Sequence, residues 1–248
     1  MFPIRDHNPS LTTPYVTLGL IVINVAIFLS YWPFMTSEAE LTRFFYQWGM
    51  VPRRISEGSG YFTILTSMFM HAGWAHVFGN MLFLWIFGDN LEGEMGHVGF
   101  LLFYLACGIG AALTHLTFAP LSTVPTVGAS GAIAGVMGGY LLLYPRARVD
   151  VLVIFIFFFQ VYALPAWTML GLWFVMQLAS GIGADPNVGG VAYWAHTGGF
   201  LIGVALTVPI WLRKGHTHHW GDTQGRPPFP PAEYRIGRSD IPRVRRRK

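Results

Sequence analysis

Charge is the scarcest property of this chain. Of its 248 residues only 11% are Asp, Glu, Lys or Arg, about half the share of a water-soluble domain, which argues against an ordinary soluble globule. Cysteine is almost missing as well. The single Cys107 cannot build a disulfide framework or a thiolate metal site, and its apolar surroundings suit a small buried residue. No His-Glu-x-x-His pattern is present to hold zinc. Nor does any sequence repeat relate the two halves, as it often does in transporters. Asp89 stands at the end of an apolar run with no second mid-membrane aspartate, so an aspartyl dyad is unsupported. No cofactor or metal is expected.

What the chain has instead is apolar length: 53% of the residues are hydrophobic. About 20 apolar residues cross a hydrocarbon core as a helix, and six runs meet or approach that length. They cover about 15–32, 74–91, 98–118, 128–144, 165–179 and 193–212. The expected fold is therefore an all-α membrane protein with six transmembrane helices in one domain, residues 1–212. The first run is followed by bulky residues ("IFLSYWPFM") rather than a small-x-small cleavage site, so it reads as a retained span. The run "VLVIFIFFF" at 151–159 is too short to cross. It reads as a partly inserted stretch leading into the fifth span, with a seventh span as the alternative.

Positive charge sets orientation. Arg146 and Arg148 follow the fourth run, and Arg213 with Lys214 follow the sixth, which places both termini on the cytoplasmic side. The loop 33–73 carries Arg43, Arg53 and Arg54 on the outer side, against that trend, and its aromatic stretch "FFYQWGM" suits an interfacial element. From Arg213 onward ten lysines and arginines stand against Asp222, Glu233 and Asp240, so this tail carries +7 of a net +4 and the rest of the chain −3. Residues 213–248 read as a basic, disordered cytoplasmic tail that can touch lipid head groups. Without interleaved aromatics it does not read as a nucleic-acid site.

Polar side chains inside membrane spans are costly and mark function. His76 and Asn80 share one face of the second run, four residues apart. His115 is in the third, where it reads as an interhelical hydrogen bond. Ser130 opens the fourth run and His196 lies near the start of the sixth. The second, fourth and sixth runs all begin on the outer side, so His76, Ser130 and His196 lie at one depth. Two stripes of small residues accompany them: Gly131, Gly135 and Gly139 beside Ser130, and Ala195, Gly199 and Gly203 beside His196. Such stripes let helix backbones approach closely. Facing each other, they bring a hydroxyl to an imidazole, the pairing of an activated nucleophile and its base. The unpaired N–H groups at the helix start, with His76 and Asn80, can receive an oxyanion. No acid is placed to orient His196; Asp185 is the nearest, in a glycine-rich loop. A Ser-His dyad is the expected machinery.

These residues resemble the rhomboid family of intramembrane serine proteases. "HAGWAHVFGNMLFLWIFGDNLE" is similar to its second-span signature, with His76 and Asn80 at the HxxxN positions and Glu92 at the acidic one. "GASG" matches the GxSG nucleophile motif at Ser130, and "AHTGG" the AHxxG base motif at His196. The resemblance covers about residues 14–212. It implies a six-helix rhomboid bundle, a catalytic pair Ser130 and His196, oxyanion stabilisation by His76 and Asn80, and cleavage of single-pass membrane proteins near their outer end. Phe62 and Thr63 replace the Trp-Arg found in many members. Ala134 stands where some carry a tyrosine that stacks on the base, so His196 must be oriented by something else. The loop 181–190 is a candidate cap, and the fifth span, opening at Pro165, a candidate lateral gate. The expected setting is a bacterial inner membrane. The alternative function is a non-catalytic rhomboid-like protein that binds membrane clients.

Overall fold

The computed structural model describes residues 2–8, 10, 12–155, 158–185 and 187–227. In chain order they form β1 (Phe2–Asp6), α1 (Tyr15–Tyr31), α2 (Glu38–Trp48), α3 (Pro52–Ser56), α4 (Thr63–Thr66), α5 (Trp74–Phe118), α6 (Ser130–Leu143), β2 (Arg148–Phe155), β3 (Phe158–Pro165), α7 (Ala166–Gly183), α8 (Tyr193–Arg213) and α9 (Thr217–Thr223). Each of the six apolar runs is helical. By length and composition, α5, α7 and α8 are able to cross a membrane, while α1 and α6 are shorter apolar helices. The second and third runs are the two limbs of α5, broken at Gly96, whose φ of 71° is open to glycine at little cost.

At the centre stands α6. Eleven of its fourteen residues are buried, as expected of a helix that is apolar on every side. The two small-residue stripes face each other. A Cβ at Gly199 would lie 2.0 Å from the Gly131 carbonyl oxygen, and one at Gly203 would lie 2.0 Å from that of Gly135. On another side, Gly135 meets Cys107 and Gly131 meets Ala111, both of α5. Here α8 touches α6 backbone to backbone, while α5 reaches α6 through the small side chains of Cys107 and Ala111.

The expectation of an all-α protein is corrected by a three-stranded antiparallel sheet in the order β1-β2-β3. The run at 151–159, read as a partial insertion or a seventh span, supplies most of β2 and the start of β3; residues 156 and 157 lie outside the described set. The physical reason is in "RVDVLVIF". It is rich in β-branched residues, with Val149 and Val151 buried, a composition that favours a strand. Pairing with β1 and β3 satisfies backbone groups that a run too short for a span would leave open. Asp150 joins the sheet to the N-terminus, accepting hydrogen bonds from His7 and Arg5 at 2.8 Å each. These two partners, His7 foremost, hold its carboxyl below the usual carboxylate range.

The reading of 213–248 as disordered is corrected for its first part. Helix α9 packs back onto the domain. Trp220 Nε1 donates to the Leu142 carbonyl at 3.0 Å, and the Arg146 N–H donates to that of Gly225 at 2.8 Å. Trp220 also packs on Trp211, so an aromatic contact anchors the chain beyond α8. The rest of the tail, from 228, lies outside the described residues.

Glu92 has a structural task. Helix α1 begins after Pro14 with no side-chain cap of its own. The buried Glu92 carboxylate, on α5, accepts the N–H groups of Val16 and Thr17 at 2.8 and 2.7 Å and the Thr17 hydroxyl at 2.7 Å. It thus supplies both acceptors and negative charge to a helix N-terminus. His97 Nδ1 closes the cluster at 2.5 Å. Glu92→Ala strands these donors in a buried site and is expected to destabilise the fold by about 3 kcal/mol. Unfolding in detergent micelles measures this; a midpoint equal to that of the wild type would refute the capping role.

Candidate active site

The site grows out of the close approach of α6 and α8. Ser130 is the first residue of α6 and His196 the fourth of α8. Because the backbones touch one turn deeper, the two short side chains meet. Ser130 Oγ and His196 Nε2 are 2.7 Å apart. Both groups are half-buried and line a cavity of about 740 Å³, together with His76, Asn80, His115 and Trp173.

The loop before α6 is held so that the serine is presented. The N–H of Gly128 donates to the Ser67 carbonyl at 2.9 Å, and Thr126 exchanges two backbone hydrogen bonds with Met50. Gly128 has φ of 132°, in the region that favours glycine. A Cβ there would lie 2.8 Å from His76 Nε2 and 3.4 Å from Ser130 Oγ. The bare glycine therefore leaves open a small space between the serine and the imidazole of His76, the space a tetrahedral oxyanion needs.

Donors surround that space. The Ala72 N–H donates to His76 Nδ1 at 3.2 Å, so Nδ1 is the acceptor and Nε2 carries the proton on the side of Gly128. The buried Asn80 amide nitrogen has no hydrogen-bond partner among the described residues. The first bond at the start of α6 runs from the Ile133 N–H to the Ala129 carbonyl, and earlier N–H groups have no intrahelical acceptor.

The segment ahead of α5 is tied by Tyr31. Its hydroxyl accepts the His71 N–H and donates to the His71 carbonyl, both at 2.7 Å. The buried His71 ring stands edge-on to His76, 5.1 Å between centroids. His71 opens the stretch that resembles the second-span signature, although the sequence alone gives it no part. Its signal is a histidine next to a span start, five residues before His76.

All four residues expected at the site, Ser130, His196, His76 and Asn80, line the one cavity. His115, expected as an interhelical hydrogen bond, lines the same cavity, and its Nδ1 has no partner among the described residues. Asp185 does not reach the base. Its carboxylate accepts the Asn187 N–H at 2.9 Å, while the loop it belongs to forms one wall of the cavity. The residue that does reach His196 is Gln177 of α7, whose Oε1 lies 2.7 Å from Nδ1. Trp173, one turn earlier, lies against the imidazole, 5.7 Å between ring centroids and 30° between planes. Motif spacing passes over both. The available signal was that Gln177 is a carboxamide within an apolar span.

The profile of the family described as the Rhomboid domain matches residues 58–213. The chain belongs to the rhomboid family. Among its relatives, "Rhomboid-like protein 11, chloroplastic" of Arabidopsis thaliana is 33% identical over 156 residues, 61% of this chain and 52% of that protein. "Rhomboid protein 1, mitochondrial" of Saccharomyces cerevisiae is 33% identical over 147 residues, 57% of this chain and 40% of that one. "Rhomboid protease GluP" of Bacillus subtilis is 40% identical over 87 residues, 35% of this chain and 16% of that one. The alignments thus span about half or less of each relative. Rhomboid membership and apolar helices make this a membrane protein. The narrower expectation of a bacterial inner membrane does not follow, since the relatives include chloroplastic and mitochondrial proteins as well as a bacterial one.

Proposed function

We propose that this rhomboid is an intramembrane serine endopeptidase that cleaves single-pass membrane proteins near the outer face of the bilayer. The observation that carries the reading is the Ser130–His196 pair at 2.7 Å, inside an apolar helical bundle but open to a cavity. Six helical limbs cross the membrane: α1, the two limbs of α5, α6, α7 and α8. Helix α6 can be short because it is surrounded by protein and starts at the cavity rather than at the lipid surface. Arg146, Arg148, Arg213 and Lys214 gather beyond the far ends of α6 and α8, which places that end and both termini in the cytoplasm. The basic tail then meets anionic lipid head groups.

The chemistry follows from the tautomers. His196 Nε2 takes the Ser130 hydroxyl proton as the oxygen attacks the scissile carbonyl carbon. The carbonyl oxygen becomes an oxyanion beside His76 Nε2–H, the Asn80 amide and the free N–H groups of the first turn of α6. His196 then gives its proton to the leaving amine, and an acyl-serine remains. Water, activated by the same base, hydrolyses that ester and restores the hydroxyl. A peptide bond in a stable helix is shielded by its own hydrogen bonds, so substrates carry Gly, Pro or other helix-weakening residues near the cut. The space against Gly128 and Gly131 favours a small residue just before the cut. The loop around Asp185 serves as the cap, and α7 as the side through which substrate enters.

A fluorophosphonate probe, which reacts only with an activated serine, tests the reading. Labelling of the native protein that vanishes in Ser130→Ala, together with cleavage of a co-expressed single-pass protein lost in the same variant, is the expected result. Equal labelling of both proteins, or none with the fold intact, would favour a client-binding protein instead.

A further inference from the structure

We propose that Gln177 is a positioning residue for the base. Its carboxamide oxygen selects the His196 tautomer that Ser130 requires, Trp173 fixes the ring plane, and the dyad is therefore competent only while α7 is docked. The proposal rests on the dyad reading above and adds a third element to it, contributed by a helix that carries no recognised motif.

The argument is one of donors and acceptors. A neutral imidazole has one N–H, and which nitrogen carries it is set by the partner of the other. To take a proton from Ser130, Nε2 must be bare, so Nδ1 must carry the hydrogen. Gln177 Oε1 is a pure acceptor, 2.7 Å from Nδ1. With the amide turned this way, the oxygen is satisfied only by the tautomer with Nδ1–H. The opposite tautomer would leave two acceptors facing each other at hydrogen-bond distance and would turn Nε2 into a donor toward Ser130. Gln177 thus does with a neutral group what a carboxylate does in a triad. The ring plane needs its own support, because α6 presents only the methyl of Ala134 at the position next to the nucleophile's turn. Trp173 supplies it from α7. The spacing of four residues puts Trp173 and Gln177 on one helix face, so a single docking event delivers both contacts.

The coupling to α7 follows from how lightly that helix is held. Of its eighteen residues only Ala166, Leu170 and Gly181 are buried, against eleven of fourteen in α6. Its polar tie to the bundle through Gln177 is the bond to the base. Moving α7 aside to admit a substrate would release Nδ1 and the ring together, and redocking would restore them. The base is then armed after the substrate is seated, which limits idle hydrolysis at an open site.

The test uses the full-length protein in detergent micelles with a single-pass substrate. Besides His196, the cavity is lined by the titratable side chains of His76 and His115 of α5, Asp185 of the loop and Tyr193 of α8, and none of them is altered. Gln177→Leu puts an apolar side chain of similar size there and removes the acceptor. It is expected to lower kcat about tenfold or more, leave KM within about twofold, and abolish the ¹⁵N signature of a single Nδ1–H tautomer at His196. Gln177→Glu keeps an acceptor and adds charge that stabilises the imidazolium. The base then protonates at higher pH, so the acidic limb of kcat/KM moves up by about one pH unit. Wild-type kcat and an unchanged tautomer signal in Gln177→Leu would overturn the proposal. If that variant does not fold, an unmoved limb in Gln177→Glu overturns it instead. Failure here with Ser130→Ala inactive leaves the protease reading standing; a native protein that neither labels nor cleaves removes that reading, while the tautomer signal still reports on Gln177.

Discussion

Ser130→Ala and His196→Ala are each expected to lower kcat by about 10⁴-fold or more, and the double variant is expected to fall no further than the weaker single one. On the proposed reading the two side chains perform one act. The hydroxyl attacks only as its proton leaves, and the proton leaves only to Nε2, 2.7 Å away. Removing either partner removes the whole step. What remains in every variant is the oxyanion space beside His76, Asn80 and Gly128, which still lowers the barrier for attack by water. Single-turnover cleavage of one substrate by the three variants measures the effect. Losses that multiply in the double variant would show that the serine and the histidine act independently and would sink the dyad.

Gly199→Ala is expected to reduce activity about a hundredfold without touching the dyad. A Cβ at that position falls 2.0 Å from the carbonyl oxygen of Gly131, the residue that follows Ser130. That neighbour is backbone, so it cannot rotate away, and α6 and α8 must separate by about 1 Å or more. A shift of that size stretches the hydrogen bond between nucleophile and base, and misplacement on this scale costs about 10² in rate. Overpacking of this kind also destabilises by about 1–3 kcal/mol. Gly203→Ala, with 2.0 Å to the Gly135 carbonyl oxygen, should act the same way from a turn deeper. Gly19→Ala is the control, since nothing lies within 4 Å of its added methyl. Equal activity in Gly199→Ala and Gly19→Ala would show that backbone contact between α6 and α8 does not set the dyad distance.

The meeting of Ser130 and His196 was readable because it depends on local pattern and depth. Ser130 and His196 each lie beside a small-residue stripe, and helix periodicity converts those stripes into faces. Alternating span direction puts the starts of the second, fourth and sixth apolar runs at one level. Hydrophobic periodicity carries no comparable information about Gln177: a lone amide in α7 is consistent with several partners until the packing angle of α7 on α8 is known. The sheet shows a different limit. The run at 151–159 is as apolar as a span, and only its shortness and β-branched content argue for a strand. Its partner β1 is about 145 residues away in sequence, beyond any local signal. Glu92 lies between these cases, visible as an acidic residue after a span, while its task as the cap of α1 depends on a contact 75–76 residues distant.

By itself, then, the order of residues determined that this chain enters a membrane as helices and which side chains meet at the candidate site, because the cost of burying polar groups in hydrocarbon leaves few places for them. The tertiary structure alone decided how the base is held, what caps the first helix and where the apolar run at 151–159 finds its hydrogen bonds. Those outcomes rest on pairings between distant segments, and such pairings are set by the shape of the packed bundle rather than by the period of any one stretch.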